Sequence, residues 1–426
     1  MVKLWKAFLF LTILIFFSCM LTGCMGTKEE KREPVVELEL MMHKREDMES
    51  MQKLVDAFEA SQDRIRIRVN MVPNVDMELR VRAVEGTLPD LVQLNGLQAR
   101  ETMELVQGGY LTDLSGEPFM EQVKDELLPY LEYEEQLLLF PMTLSYEGIF
   151  VNEKLLDTYG YEIPDTFEKL MQTAKNLEEQ GEIPFLFADG DGWSTRMTWE
   201  GIETAMRGTC AEFWEKISLG ETSFEEDTLT RESLEILNEI HRYGQENSSE
   251  TTYDEAVERF AAGEAAFFPQ GSWSYQAMEQ ETSDLQVQLI PFPVPQGQEQ
   301  KVTFWVDSNL AVTKQGTHTA EAMEFLEFIA DPEHMEIYTS AQNAFSCLEG
   351  IDEDVSYAEE LEQRREHITV VYEAVGLPWE VAQYRDSEIR SVLGSGEEEW
   401  QSYLSECTSL LREYGEAYRK IKEKTG

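Results

Sequence analysis

Between residues 35 and 106 the apolar side chains keep switching between two periods, and that switching constrains the fold more than any other feature of the chain. Val36, Leu38 and Leu40 alternate with Glu37 and Glu39, the period-two mark of a strand with one buried face. Met48, Met51, Leu54, Val55 and Phe58 then recur at helical spacing. Ile65, Ile67 and Val69 alternate with Arg66, Arg68 and Asn70 as a second strand. A helix over 77–84 leads to Gly86, and Pro89-Asp90 introduces a short buried strand over 91–94. Residues 97–106 form a further helix that Gly108-Gly109 stops. Strands alternating with helices predict a parallel sheet with helices on both faces.

The same style returns later. A strand is expected over 149–151, followed by a helix that Pro164-Asp165-Thr166 opens. That helix presents Phe167, Leu170, Met171, Ala174 and Leu177 on one face and stops at Gly181. Strands over 183–187 and 265–268, a helix over 256–262 and one opened by Gly271-Ser272-Trp273 follow. A strand over 304–312 and a helix over 320–330 precede 70 residues that are nearly all helical in pattern. No internal repeat of short fixed period is present.

Lys3 and Lys6 precede an apolar core over 7–17, and Leu21-Thr22-Gly23-Cys24 comes after it. Charge, apolar run and small residues in that order mark a secretory signal. The last four residues resemble the lipobox of bacterial lipoproteins. The resemblance implies a signal over 1–23, lipid on Cys24, and a polar tether over 24–34 on the extracellular face of a bacterial cell membrane. The competing reading is an uncleaved anchor, since residues 4–21 nearly match a bilayer. Beyond residue 23 no segment approaches the about 18 continuous apolar residues a span needs.

The formal net charge is −48, and loss of Lys3 and Lys6 with the signal leaves 33 basic against 83 acidic residues, or −50. A surface so negative repels nucleic acid and anionic headgroups and disfavours strongly anionic ligands. The 403 residues beyond the signal exceed one ordinary core and suggest two domains. Cys210, Cys347 and Cys407 are widely spaced and far from any histidine, so they are expected to be free and buried. Neither a thiol nucleophile, a zinc site nor a cofactor is indicated.

In open parallel sheets ligands bind beyond the carboxyl ends of strands. Those ends carry His43-Lys44, Asn95-Gly96, Tyr146-Glu147, the stretch 189–193 with Asp189 and Trp193, the stretch 270–273 with Trp273, and the stretch 305–309 with Trp305, Asp307 and Asn309. Flat aromatic faces cover the C–H surfaces of a pyranose, while carboxylates and amides take its hydroxyls in pairs. A neutral polyhydroxylated ligand suits that set. For any single tryptophan, plain core packing is the competing account. Asp189, Asp191 and Glu200 have EF-hand-like spacing, but Trp193 and Ser194 stand where the turn needs other residues, so no metal is expected.

Several motifs then follow one another: Gly86-Thr87-Leu88-Pro89-Asp90, Gly109-Tyr110-Leu111-Thr112-Asp113-Leu114, Phe140-Pro141 through Phe150-Val151-Asn152-Glu153-Lys154, and Pro164-Asp165-Thr166-Phe167-Glu168-Lys169-Leu170. Phe260-Ala261-Ala262-Gly263-Glu264-Ala265-Ala266 with Gly271-Ser272-Trp273, and Leu310-Ala311-Val312-Thr313-Lys314, complete the series. In this order they resemble the maltose-binding-protein-like (family 1) sugar-binding group among the extracellular solute-binding proteins of ABC importers. The likeness spans roughly residues 35–345, and Phe167 replaces the usual tryptophan.

The resemblance implies an α/β, two-lobed periplasmic-binding-protein-like fold with an interlobe ligand cleft and a helical C-terminal region. Lobe 1 would be 35–145 with about 308–350, and lobe 2 would be 146–307 with about 351–426. It also implies a monomer without catalytic activity that captures a neutral carbohydrate, closes on it and delivers it to membrane permease subunits. Trp273 would stack a sugar ring, with Trp379 a second aromatic. The candidate ligand residues are therefore Lys44, Asn95, Tyr146, Glu147, Asp189, Trp193, Trp273, Trp305, Asp307, Asn309 and Trp379. The rivals are a carbohydrate-cleaving enzyme and a binder of a polyamine or peptide, the former amine drawn to acidic and aromatic groups.

Overall fold

The computed structural model describes residues 34–425 apart from 98, 209, 352–354, 359–360, 362–369 and 372–376. Strands β1 (Val36–Met42), β2 (Ile65–Met71) and β3 (Leu91–Leu94) pair in parallel with β1 between the other two. Leu38 and Leu40 are fully buried while Glu37 is exposed, as the alternation predicts. The helix Met48–Ser61 buries Met51, Leu54, Val55 and Phe58. Asn74 caps the helix Val75–Glu85, and Gly86 ends it at φ 73°, a conformation costly for residues with a Cβ. A short ribbon follows, β4 (Glu132–Tyr133) with β5 (Gln136–Leu137).

Strand β6 (Phe140–Asn152) is buried along all 13 residues. Strands β7 (Ile183–Phe185), β8 (Ala265–Gly271) and β9 (Val287–Ile290) belong with its second half: β8 and β9 pair with it antiparallel, and β7 lies parallel beyond β8. Strand β10 (Thr303–Val312) runs antiparallel along its first half, from Phe140 opposite Leu310 to Glu147 opposite Thr303, and continues to β3. The short β11 (Phe345–Ser346) pairs with β6, and β12 (Val370–Val371) with β10. Among the described residues ten strands thus form one sheet with the path β2-β1-β3-β10-β6-β8-β7. The parallel pairing expected from the alternation is found at the two ends of that path and where the short β12 joins β10. Between the two ends β6 and β10 run antiparallel and pass from one half of the molecule to the other.

Two large apolar cores flank that passage. The first gathers Leu40, Leu54, Phe58, Leu91, Phe140, Leu310, Phe325 and Tyr338, and continues across to Val257, Phe260, Phe268 and Leu289. The second holds Ile149, Leu170, Phe185, Trp199, Leu237, Phe267, Tyr403 and Leu411. The helices Gly192–Arg207 and Thr228–His241 are not among the expected elements. Gly192–Arg207 presents Trp199, Ile202 and Met206 to the second core and buries Thr195, Thr198, Glu200, Glu203 and Thr204 beside them. The helices Trp379–Glu388 and Glu397–Thr425 close over the second core with Val381, Tyr403, Leu404 and Cys407 buried. Cys210, Cys347 and Cys407 are all buried. No helix among the described residues is long and apolar enough to cross a membrane.

Candidate ligand-binding site

Where β6 and β10 cross, the rings of Trp273 and Trp305 lie with centres 4.8 Å apart, tilted by 48°. Tyr130, Met197 and Phe304 complete a small apolar cluster, which Phe304 joins to the first core. Trp273 is delivered by the turn after β8, which is stapled to β6: Ser272 N–H donates to the Tyr146 carbonyl (2.8 Å), and Tyr146 N–H donates to Ser272 Oγ (3.0 Å). Glycine at 271 is required by close approach, since a Cβ there would fall 1.5 Å from Cζ3 of Trp273.

Polar groups surround the ring pair. Lys44 Nζ donates to Asp307 Oδ1 (2.6 Å), Ser145 Oγ to Asp307 Oδ2 (2.9 Å), and Trp305 Nε1 to Asp307 Oδ1 (3.2 Å). Burial works against the charged form of Asp307, but the Lys44 ammonium and these donors hold its carboxyl below the usual range. Asp47 accepts from Gln93, Ser308 (3.1 Å), Tyr338 (2.9 Å) and Gln342 (3.0 Å), knitting four segments together under the site. Burial, and then the neighbouring Asp47 carboxylate, push Glu46 up to about 7.

A cavity of about 20 Å³ lies among these groups, lined from one side by Glu46, Asp47 and Asp307 and from the other by Ser272, Trp273 and Gln276. That is room for about one water, far below the roughly 300–1,000 Å³ of ordinary small-molecule sites. A small-molecule ligand therefore enters this cavity only when the two walls part.

Of the residues read from the sequence, Lys44, Trp273, Trp305 and Asp307 meet here. Trp193 does not line that cavity; its ring centre lies 5.3 Å from that of Tyr253. Asn95 donates to Glu101 (2.9 Å). Tyr146 is buried against Phe304 and Phe345. Glu147 is 2% exposed and its Oε2 has no hydrogen-bond partner among the described residues; burial, and then the nearby Glu200 charge, raise it well above the usual range. Asp189 is also buried, accepting from Thr195 (2.7 Å) and held below its usual value, against burial, by His241. Asn309 is fully enclosed, with its amide 3.5 Å from the Leu94 carbonyl. Trp379 opens a helix and its side chain lies outside the described residues, as does Cys24. The calcium-like spacing resolves into separate partners: Asp191 takes the Tyr253 N–H (2.7 Å), and Glu200 binds Arg196 and Arg385.

Glu46, Ser145 and Tyr253 were missed. Ser145 had a signal. Thr143, Ser145 and Glu147 are polar at every second place of an otherwise apolar strand and so share one face. Glu46 and Tyr253 had none, because only the folding of distant segments brings them to the cleft.

Two crossing strands between two cores, with rings and hydroxyl-binding groups gathered at the crossing, define a two-lobed ligand-binding protein. The chain belongs to the bacterial extracellular solute-binding protein family, whose profile matches residues 53–363. It is 22% identical over 357 residues to the multiple sugar-binding protein of Streptococcus mutans, covering 83% of this chain and 85% of that one. It is 23% identical to the melibiose/raffinose/stachyose-binding protein MelE of Bacillus subtilis, over 97% of each chain. The solute-binding protein RafE in complex with raffinose superposes at TM-score 0.76 and 20% identity, over 89% of this chain and 99% of that one. A Bacillus licheniformis sugar transporter protein in complex with stachyose gives 0.70 at 20%, over 88% and 100%.

Proposed function

We propose that this protein captures a neutral sugar or oligosaccharide outside the cell and delivers it to the membrane permease subunits of an ABC importer. The observation that carries the reading is the Trp273–Trp305 ring pair set beside the ionised Asp307, an apolar face and a hydroxyl acceptor side by side. The names of the relatives, which bind sugars, support it. The same reading makes Cys24 the lipid-bearing anchor of a monomer and assigns 35–145 with about 308–350 to lobe 1 and the remainder to lobe 2. It gives the protein binding and hinge closure without turnover.

A thermal-shift panel of melibiose, raffinose and stachyose against spermidine tests it. A ligand at 100 times its Kd adds about 2.7 kcal/mol to the folded state, so a fitting sugar raises the melting temperature and 0.5 M salt leaves the rise intact. A shift with spermidine alone, lost in salt, would establish a polyamine binder instead. New reducing ends after incubation with the oligosaccharides would establish an enzyme.

A further inference from the structure

The helix Gly192–Arg207 borders the ring pair of the cleft, with Met197 packed on Trp305 and Trp193 beside Tyr253. Arg196 and Glu200 stand three and seven places after Trp193, along one stripe of that helix. Arg196 Nη1 donates to Glu200 Oε2 (2.6 Å) and its Nε to Asp386 Oδ1 (2.5 Å). Arg385 Nη1 donates to Glu200 Oε1 (2.7 Å). Two cations and two carboxylates thus alternate between the helix Gly192–Arg207 and the C-terminal helix Trp379–Glu388. Arg385 is 0% exposed, and its guanidinium carbon lies 4.7 Å from the ring centres of both Trp199 and Phe224. The backbones touch as well, because a Cβ on Gly192 would fall 1.9 Å from the Asp386 carbonyl oxygen.

Apolar side chains of the same volume would hold two helices together as firmly, since burying charge costs solvation that pairing at best offsets. What directional pairs add is register. An apolar contact tolerates sliding and rotation, whereas a guanidinium bridging two carboxylates fixes both. Fixing Arg196 and Glu200 fixes where Trp193 and Met197 point.

We propose that Arg385 and Asp386 are positioning residues, through which the C-terminal helix sets the affinity of the cleft without touching the ligand. The proposal rests on the reading of the cleft as a ligand site. Since Arg385 has no exposed surface, any effect it has on binding must pass through the side chains it packs against, Glu200 and Trp199 of the helix Gly192–Arg207 foremost.

The full chain carrying Asp386→Ala or Arg385→Lys tests it, with raffinose as the calorimetric probe at 25 °C and hydrogen exchange followed over residues 192–198. Both variants are expected to bind raffinose at least fivefold more weakly while still folded, with faster exchange in 192–198, and Asp386→Glu to stay within twofold of the parent. Unchanged affinity and exchange with only a lowered melting temperature would overturn the proposal, leaving a purely structural contact. Should Arg385→Lys not fold, Asp386→Ala decides, because Asp386 is only partly buried and its loss removes one end of the clamp. If the parent binds no sugar, the functional reading fails. The exchange data then still judge the clamp, and unchanged exchange in Asp386→Ala overturns it.

Discussion

Replacing Gly271 by alanine separates the site from the scaffold more sharply than deleting a tryptophan. Gly271 is not at positive φ, so its backbone accepts alanine, and what forbids a Cβ is the Trp273 ring 1.5 Å away. The ring must swing off Trp305, losing a contact worth about 0.5–1.5 kcal/mol beyond its buried area. Against that, Gly→Ala at a compatible position gains about 0.4–1 kcal/mol by restricting the unfolded chain. The two nearly cancel, so stability should change by less than about 1 kcal/mol. Binding has no such compensation. Loss of the ring platform should weaken raffinose affinity about tenfold, equivalent to roughly 1.4 kcal/mol. Calorimetric titration, scanning calorimetry and tryptophan emission on Gly271→Ala read all three quantities, with Trp273→Ala as the reference for complete ring loss. Wild-type affinity with an unshifted emission spectrum would show that the ring is not where its contacts require, and would remove Trp273 from the site.

Four further outcomes are expected. Cys24→Ala should release the protein or leave an uncleaved precursor in membrane fractions, because two acyl chains at about 0.8 kcal/mol per buried CH₂ hold where one exchanges; anchoring at mature size would refute lipidation. Glu46 lies at about 7 in the fold against an ordinary 4.5, so the folded state holds that proton more tightly, and the stability it contributes is complete below about pH 4.5 and lost as pH rises through 7. Glu46→Gln should flatten that part of a melting-temperature profile, and an identical profile would place the titration elsewhere. Small-angle scattering should show compaction on adding the sugar found in the thermal screen, as hinge closure around a ligand requires; an unchanged profile at saturation counts against hinge closure. Glu134 and Glu135 both sit at positive φ (51° and 63°) in the turn between β4 and β5, so Asn-Gly in their place should raise the melting temperature, and a fall would mean the glutamates make contacts that outweigh the strain.

The sequence by itself determined the local elements wherever one side of an element faces solvent. Strands β1 and β2 and the helix Met48–Ser61 follow their periods because Glu37, Arg66 and their like mark the outer face. The capping signals also held, with Thr166 accepting from Lys169 N–H and Gly181 at φ 89° after the next helix. The motif order carried the family. What only the tertiary structure decided is how the halves join. A strand buried on all 13 residues has no outer face to betray its length, so β6 is legible only as the short stretch 149–151. For the same reason Trp305 and Asp307, read as a strand end, lie within β10, whose pairing partner shifts from β6 to β3 along its length. Asp189 and Trp193 are neighbours in sequence, yet one is locked to Thr195 and His241 and the other faces Tyr253. Composition specifies which groups could bind a sugar. Which of them share a wall depends on contacts between Lys44 and Asp307, 263 residues apart, and no local period encodes that distance.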